Sequence, residues 1–130
     1  MGDRLDAVLR LTRFPLLPTA LADSAAGYLI ALPPGAAPSP LAVALLAAAS
    51  GCLYMGGMVL NDAVDLERDR TLHPHRPLPQ GEIARRTALC LCAGLFVAGI
   101  LSGFAAHPWS GRVAVALGYF IFLYNKGPLP

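Results

Sequence analysis

LAVALLAAASGCLYMGGMVLNDAVDLERDR, residues 41 to 70, decides how this chain is read. Its first twenty residues carry no charge, and the next ten carry six. Twenty helical residues at ~1.5 Å each span about 30 Å, the thickness of a bilayer's hydrocarbon core. No Pro or Gly occurs between Met58 and His73, so the pattern predicts one helix from Leu41 to about Arg70. Its last turns then stand out of the membrane. Asp62, Asp65 and Asp69, at i, i+3 and i+7, share one face of such a helix, with Asn61 one turn before Asp65.

Two other runs have the same character. Residues 14–32 and 88–106 are each nearly uncharged and long enough to cross a bilayer. A fourth run, 113–124, is shorter, and reaches a span over 112–125 if its helix starts inside the preceding loop. The expected fold class is therefore all-α: a polytopic transmembrane bundle of about four helices in a single unit, residues 1–130. Composition agrees. Of 130 residues 55% are hydrophobic and 14% charged, too apolar for a disordered chain and well below the roughly 25% charge of soluble domains. The lipid bilayer is the partner this composition demands. A net charge of +2 gives no ground for a nucleic-acid partner. A signal peptide ending near Ala20-Leu21-Ala22 competes for the first run, but Asp3, Asp6, Pro15 and Pro18 fit it poorly.

Charge and chemistry concentrate between residues 61 and 87, expected to form an Asp-rich loop. Three carboxylates on one helix face repel one another, and a bound cation relieves that. Carboxylates with an amide suit hard, oxygen-seeking ions such as Mg2+, which takes one or two carboxylates and completes its shell with water and phosphate. Asp62, Asp65 and Asp69 are the candidate metal ligands, able to hold a diphosphate through bridging ions. The plainer alternative is a solvated helix whose aspartates pair with Arg68, Arg70 and Arg76, Glu67 being ordinary surface. An EF-hand is excluded, since its Asp-x-Asp-x-Asp-Gly spacing is absent.

Arg70-Thr-Leu-His-Pro-His-Arg-Pro-Leu-Pro-Gln-Gly81 follows, whose prolines forbid a regular helix. Its guanidiniums lie close in sequence to the aspartates and match phosphate oxygens. His73 and His75 are candidate metal ligands by residue type, but the flanking prolines and the hard-acid chemistry favour reading them as surface histidines. Glu82 and Arg86, at i and i+4, suggest a helix beginning just after Gly81. Cys52, Cys90 and Cys92 read as small apolar packing residues. Gly99 and Gly103 form a GxxxG pattern, read as internal packing. Asp23, within the first span, is costly in lipid, and its functional and merely tolerated readings weigh equally.

These residues resemble the UbiA superfamily of intramembrane prenyltransferases. Asn61, Asp62, Asp65 and Asp69 match that family's first aspartate-rich motif in full. Arg76-Pro77-Leu78-Pro79-x-Gly81 matches its Arg-Pro-Leu loop, and Leu11-Thr12-Arg13, Pro18-Thr19 and Gly27 resemble its first helix more loosely. The resemblance implies a helical bundle around a cavity, a polyprenyl diphosphate donor, Mg2+ and a lipophilic acceptor. It gives Asp62, Asp65 and Asp69 to metal, and Asn61, Arg68, Arg76 and Lys126 to the diphosphate, with Tyr124 beside Lys126. It also implies a protein about twice this long with a second aspartate motif, so the chain reads as an N-terminal half. A second chain or a longer parent then supplies the rest, and the competing reading is a non-catalytic membrane fragment that retains cation or diphosphate binding. A CDP-alcohol phosphotransferase is disfavoured, because its Asp-Gly-x-x-Ala-Arg signature is absent.

If alternate spans reverse direction, nine of the ten Lys and Arg residues fall on one side and only Arg112 on the other. The link Pro33–Pro40 is uncharged, and Trp109 suits the far interface. The positive-inside rule then makes the N-terminus and the Asp-rich loop cytoplasmic. A reporter enzyme fused near residue 36 is expected to lie outside the cytoplasm; cytoplasmic activity there overturns the assignment.

Overall fold

The computed structural model describes residues 2–126, and all regular structure within them is helical. The terminal Gly-Pro-Leu-Pro stretch of the sequence lies outside the described residues. Helix α1 (Gly2–Leu11) is amphipathic and buries Ala7 and Leu11. A 3-10 turn (Phe14–Leu16) leads into α2 (Leu17–Ala31). Pro33 and Gly35, the latter at φ 83°, turn the chain toward α3 (Pro40–Val64). Ser39 caps α3, its hydroxyl accepting from the Ala42 amide at 3.3 Å, and Pro40 takes the first-turn position where no amide is required. Then come α4 (Leu66–Leu72), α5 (Arg85–Ala106) and α6 (Pro108–Lys126).

Three helical segments are long and apolar enough to cross a membrane: Phe14–Ala31, Pro40–Val64 and Arg85–Ala106. The fourth expected span, 112–125, proves to be a longer helix that starts at Pro108, inside the preceding loop. It is not among the three, because Arg112, Asn125 and Lys126 dilute its apolar run. Near its start the Arg112 guanidinium lies 4.6 Å from the Trp109 ring centroid.

Two other expectations are corrected. The single helix from Leu41 to Arg70 bends at Asp65 (φ −82°, ψ 8°), although the Asp65 and Asp69 amides still donate four residues back at 2.9 and 2.8 Å. The helix expected just after Gly81 starts only at Arg85. Glu82 is instead held in a turn, its amide donating to the Pro77 carbonyl and its carboxylate accepting from Arg10 at 2.6 Å. The Asp-rich region is thus mostly helical, irregular only between α4 and α5.

Helix α3 is the hub, packing on α2, α5 and α6, while α5 and α6 also pack on each other. Small residues permit this. A Cβ at Gly99 would stand 3.0 Å from the Ala49 carbonyl oxygen and 3.1 Å from Leu53, and one at Gly103 would meet Ala114 and the Ser110 carbonyl. The GxxxG pattern is therefore an internal seam between α5 and its two neighbours. The Ser50 hydroxyl adds a 3.0 Å hydrogen bond to the Ala20 carbonyl, joining α3 to α2.

The main buried cluster sits at the Asp-rich end. Leu11, Val59, Ala63, Leu66, Leu78, Ile83 and Ala88 draw α1, α3, α4, the irregular segment and α5 together. Elsewhere the spans and α6 present large apolar side chains outward, Ile30 and Phe120 among them, as helices facing hydrocarbon do. Asp23 is exposed on α2, outside every ion pair among the described residues.

Gly99→Val is expected to destabilise the bundle by about 1–3 kcal/mol, since the Ala49 backbone cannot yield to the added methyls. Gly94→Ala, where a Cβ meets nothing within 4 Å, is expected to leave stability unchanged or raise it by about 0.5–1 kcal/mol. Thermal unfolding in detergent compares the two.

Candidate functional site

The last turns of α3 and the first of α4 carry the acidic motif, and the bend between them brings two of its members onto one cation. Arg76 donates to Asp69 Oδ2 at 2.5 Å and approaches Asp62 Oδ1 at 3.3 Å. Both carboxylates are buried, Asp62 at 4% exposure and Asp69 at 3%. Burying a carboxylate without a counter-ion is strongly unfavourable, so this Arg76 bridge is a condition of the local fold. The irregular segment supplies it. The Arg76 amide donates to the His73 carbonyl and the Gln80 amide to the Arg76 carbonyl, while Pro77 and Leu78 are buried beneath.

Two further groups join the pair, neither assigned a site role from sequence. The Arg13 guanidinium reaches to 3.5 Å from Asp62 Oδ1. His73 Nδ1 lies 3.0 Å from Asp69 Oδ1, so this histidine, expected at the surface, leans on a buried carboxylate with its ring half-exposed. His75 is exposed and meets His73 edge to face. The one signal for His73 was its i, i+4 spacing from Asp69; Arg13 had only its place in a loose family match.

The remaining sequence candidates separate. Asp65, at the bend, is partly exposed and forms no ion pair among the described residues. Arg68 is exposed and likewise unpaired, whereas exposed Glu67 pairs with Arg70 at 3.0 Å. Of the three arginines considered as partners for the aspartates, only Arg76 plays that part. Lys126 is exposed at the end of α6, its ammonium 5.6 Å from the Phe122 ring. Asn61 faces a different feature. It lines a groove of about 390 Å3 between α3 and α6, with Gly57, Met58, Phe120 and Ile121 for walls and Tyr124 and Asn125 beside it. Asn61 of the apolar groove is thus the sequence neighbour of Asp62 in the acidic cluster.

Helix α1 straps this end of the molecule. Arg10 bonds Asp6 at 2.8 Å and Glu82 at 2.6 Å, and these bonds, Asp6 foremost, push its guanidinium further above its ordinary pKa. The Arg85 guanidinium donates to the Ala63 carbonyl at 3.1 Å and fixes the start of α5 beside the end of α3.

Among the described residues no three carboxylate, imidazole or thiol groups converge tightly enough to chelate an ion by themselves. The donor set still suits a hard cation that needs few protein ligands. Asp65 forms no ion pair among the described residues, and with Asp62 and Asp69 it would fit a hard divalent ion that shares its shell with water and phosphate.

The fold and the site define a helical membrane bundle with a buried, arginine-bridged acidic end and an apolar groove lined by the residue next in sequence. Residues 16–130 match the UbiA prenyltransferase family, and the chain belongs to that family. It is accordingly an integral membrane protein. Relatives named digeranylgeranylglyceryl phosphate synthase include those of Methanoculleus marisnigri (38% identical over 96 residues, 74% of this chain and 33% of the relative) and Thermococcus kodakarensis (34% over 82 residues, 62% and 29%). That of Ignicoccus hospitalis is 31% identical over 86 residues, 66% of this chain and 28% of the relative. The matched region thus spans about a third of the length of these relatives. No solved structure matches.

Arg76→Met is expected to cost about 3 kcal/mol, the lower end for breaking a buried pair, because two carboxylates lose their bridge. Adding Asp62→Asn and Asp69→Asn should recover most of that loss. Unfolding in mixed micelles measures both.

Proposed function

We propose that this chain supplies the diphosphate-facing part of a prenyltransferase that moves a polyprenyl group from its diphosphate to a lipophilic acceptor within the membrane. The observation that carries the reading is the buried Asp62–Arg76–Asp69 cluster adjoining the apolar α3/α6 groove at Asn61. A polyprenyl diphosphate has the matching halves, a polyanionic head and a hydrocarbon tail. The N-terminus and the acidic end face the cytoplasm in this reading, supported by the nine-to-one distribution of basic residues.

Each group has a physical task. Asp62, Asp65 and Asp69 hold Mg2+, and bound Mg2+ supplies charge neutralisation for the departing diphosphate. Arg76, fixed by two carboxylates, presents its other N–H groups to phosphate oxygens in a geometry already set before substrate arrives. Asn61 orients the head from its place at the end of the groove, while exposed Arg68 and Lys126 add positive charge at the rim. The groove walls hold the tail and exclude water from the allylic carbon. In the transfer the C1–O bond breaks with its electron pair leaving on diphosphate. An acceptor oxygen or carbon then bonds to C1 and gives up a proton.

The names of the relatives indicate the substrates to try: geranylgeranyl diphosphate as donor and a geranylgeranylglyceryl phosphate as acceptor. The remainder of the site comes from a second chain or a longer parent, so the assay is run on membranes holding this chain alone and with a partner carrying the rest of the domain. Transfer is expected only in the completed form. It should fall by about a hundredfold or more in Asp62→Asn and Asp65→Asn and disappear on chelation of divalent ions. Full turnover in both variants sinks the site assignment. A completed form that binds cation and diphosphate but never transfers favours the non-catalytic reading.

A further inference from the structure

Arg13 is the only non-glycine residue with positive φ among the described residues, at φ 50° and ψ 43°. A left-handed backbone is strained for a long side chain and free for glycine. The conformation is pinned from both sides. Leu11 is fully buried, the Thr12 hydroxyl donates to the Val8 and Leu9 carbonyls, and the Leu16 amide donates to the Arg13 carbonyl at 2.9 Å. Glycine is the cheapest residue for this corner, so the presence of arginine calls for a use of its side chain. The guanidinium supplies one, at 3.5 Å from Asp62 Oδ1, the oxygen that Arg76 also approaches at 3.3 Å.

That oxygen carries two cations. A bare divalent ion reaching it must displace both guanidiniums or sit beside them, and either course is opposed by charge. A divalent ion arriving with diphosphate brings acceptors for the displaced guanidiniums, which pair well with phosphate oxygens. We propose that Arg13 is a positioning residue that holds Asp62 in an internal ion pair and so makes divalent-cation binding at the acidic end conditional on diphosphate. The proposal rests on the reading of this end as a diphosphate site. Arg13 acts through Asp62, and its strained corner keeps the guanidinium from swinging away to solvent.

Arg13→Gly is the suitable variant, because glycine accepts the same backbone while the side chain and its guanidinium are lost. Binding of Mn2+ to the purified chain in detergent, alone and with inorganic pyrophosphate, reads the effect. In the unmodified chain pyrophosphate should tighten Mn2+ binding by about tenfold or more, a usual size for coupled sites. Arg13→Gly should bind Mn2+ alone more tightly and lose most of the pyrophosphate enhancement, with its melting temperature maintained. Arg13→Lys should retain much of the enhancement. A merely structural Arg13 would not raise the affinity for Mn2+ alone while lowering the pyrophosphate enhancement. Undiminished enhancement in Arg13→Gly overturns the proposal while leaving the site reading intact, provided Asp62→Asn abolishes the binding. Pyrophosphate-linked Mn2+ binding that survives in Asp62→Asn, or is missing both from the unmodified chain and from the completed form, overturns the site reading and the proposal together.

Discussion

Arg76 between Asp62 and Asp69 is the constraint on which the Asp-rich end of the molecule depends. Burying two carboxylates at 4% and 3% exposure without a cation on them is strongly unfavourable. The cation comes from the irregular segment between α4 and α5, which must fold back over α3 and α4 to deliver it. The bend at Asp65, the burial of Pro77 and Leu78 and the late start of α5 are parts of that same folding back. Arg10 to Glu82 and Arg85 to the Ala63 carbonyl fasten the segment at its far end. The main apolar cluster, centred on Leu11, Val59 and Ala63, lies under the polar one, so packing and ion pairing reinforce each other.

Within the membrane the balance differs. Hydrocarbon offers side chains as apolar a surrounding as another helix does, so burial there gives little drive to association. The bundle accordingly joins through close approach at small residues, Gly99 against Ala49 and Gly103 against Ala114 and Ser110, and through the Ser50–Ala20 hydrogen bond. No residue of α2 is buried, although α2 packs on α3. The main buried cluster of the chain is therefore at its Asp-rich end, where charge and core coincide.

What was legible in the sequence follows from which rules act locally. Bilayer thickness fixes the length of an apolar run, and the helix repeat fixes which aspartates share a face; both are read from residues within one element. The existence of the spans, the common face of Asp62 and Asp69 and the packing role of Gly99 and Gly103 belong to this group. The bend at Asp65 and the start of α5 do not. They are set by ion pairs between residues 14 and 72 positions apart, Asp62 with Arg76 and Arg10 with Glu82, which leave no periodic trace. Arg13 was hidden for a similar reason, since neither its backbone conformation nor its reach to Asp62 follows from its neighbours. Arg68 shows the converse: adjacent to the motif in sequence, it points to solvent because its place on α4 lies away from the buried face.

The adjacency of Asn61 and Asp62 explains how one helix end serves two chemistries. Successive helical residues diverge by about 100°, enough for Asp62 to turn inward to Arg76 and Arg13 while Asn61 lines the α3/α6 groove. One residue of the polar cluster and one of the apolar groove are thus consecutive on α3. In the proposed reading, an amphiphile in the groove would have its tail against apolar walls and its head at the end of α3 that carries Asp62. Separating the two by even one helical turn would open a gap of ~5 Å, filled either by water around the tail or by hydrocarbon around the charge. An Asn followed directly by Asp at the end of a span removes that gap by helix geometry alone.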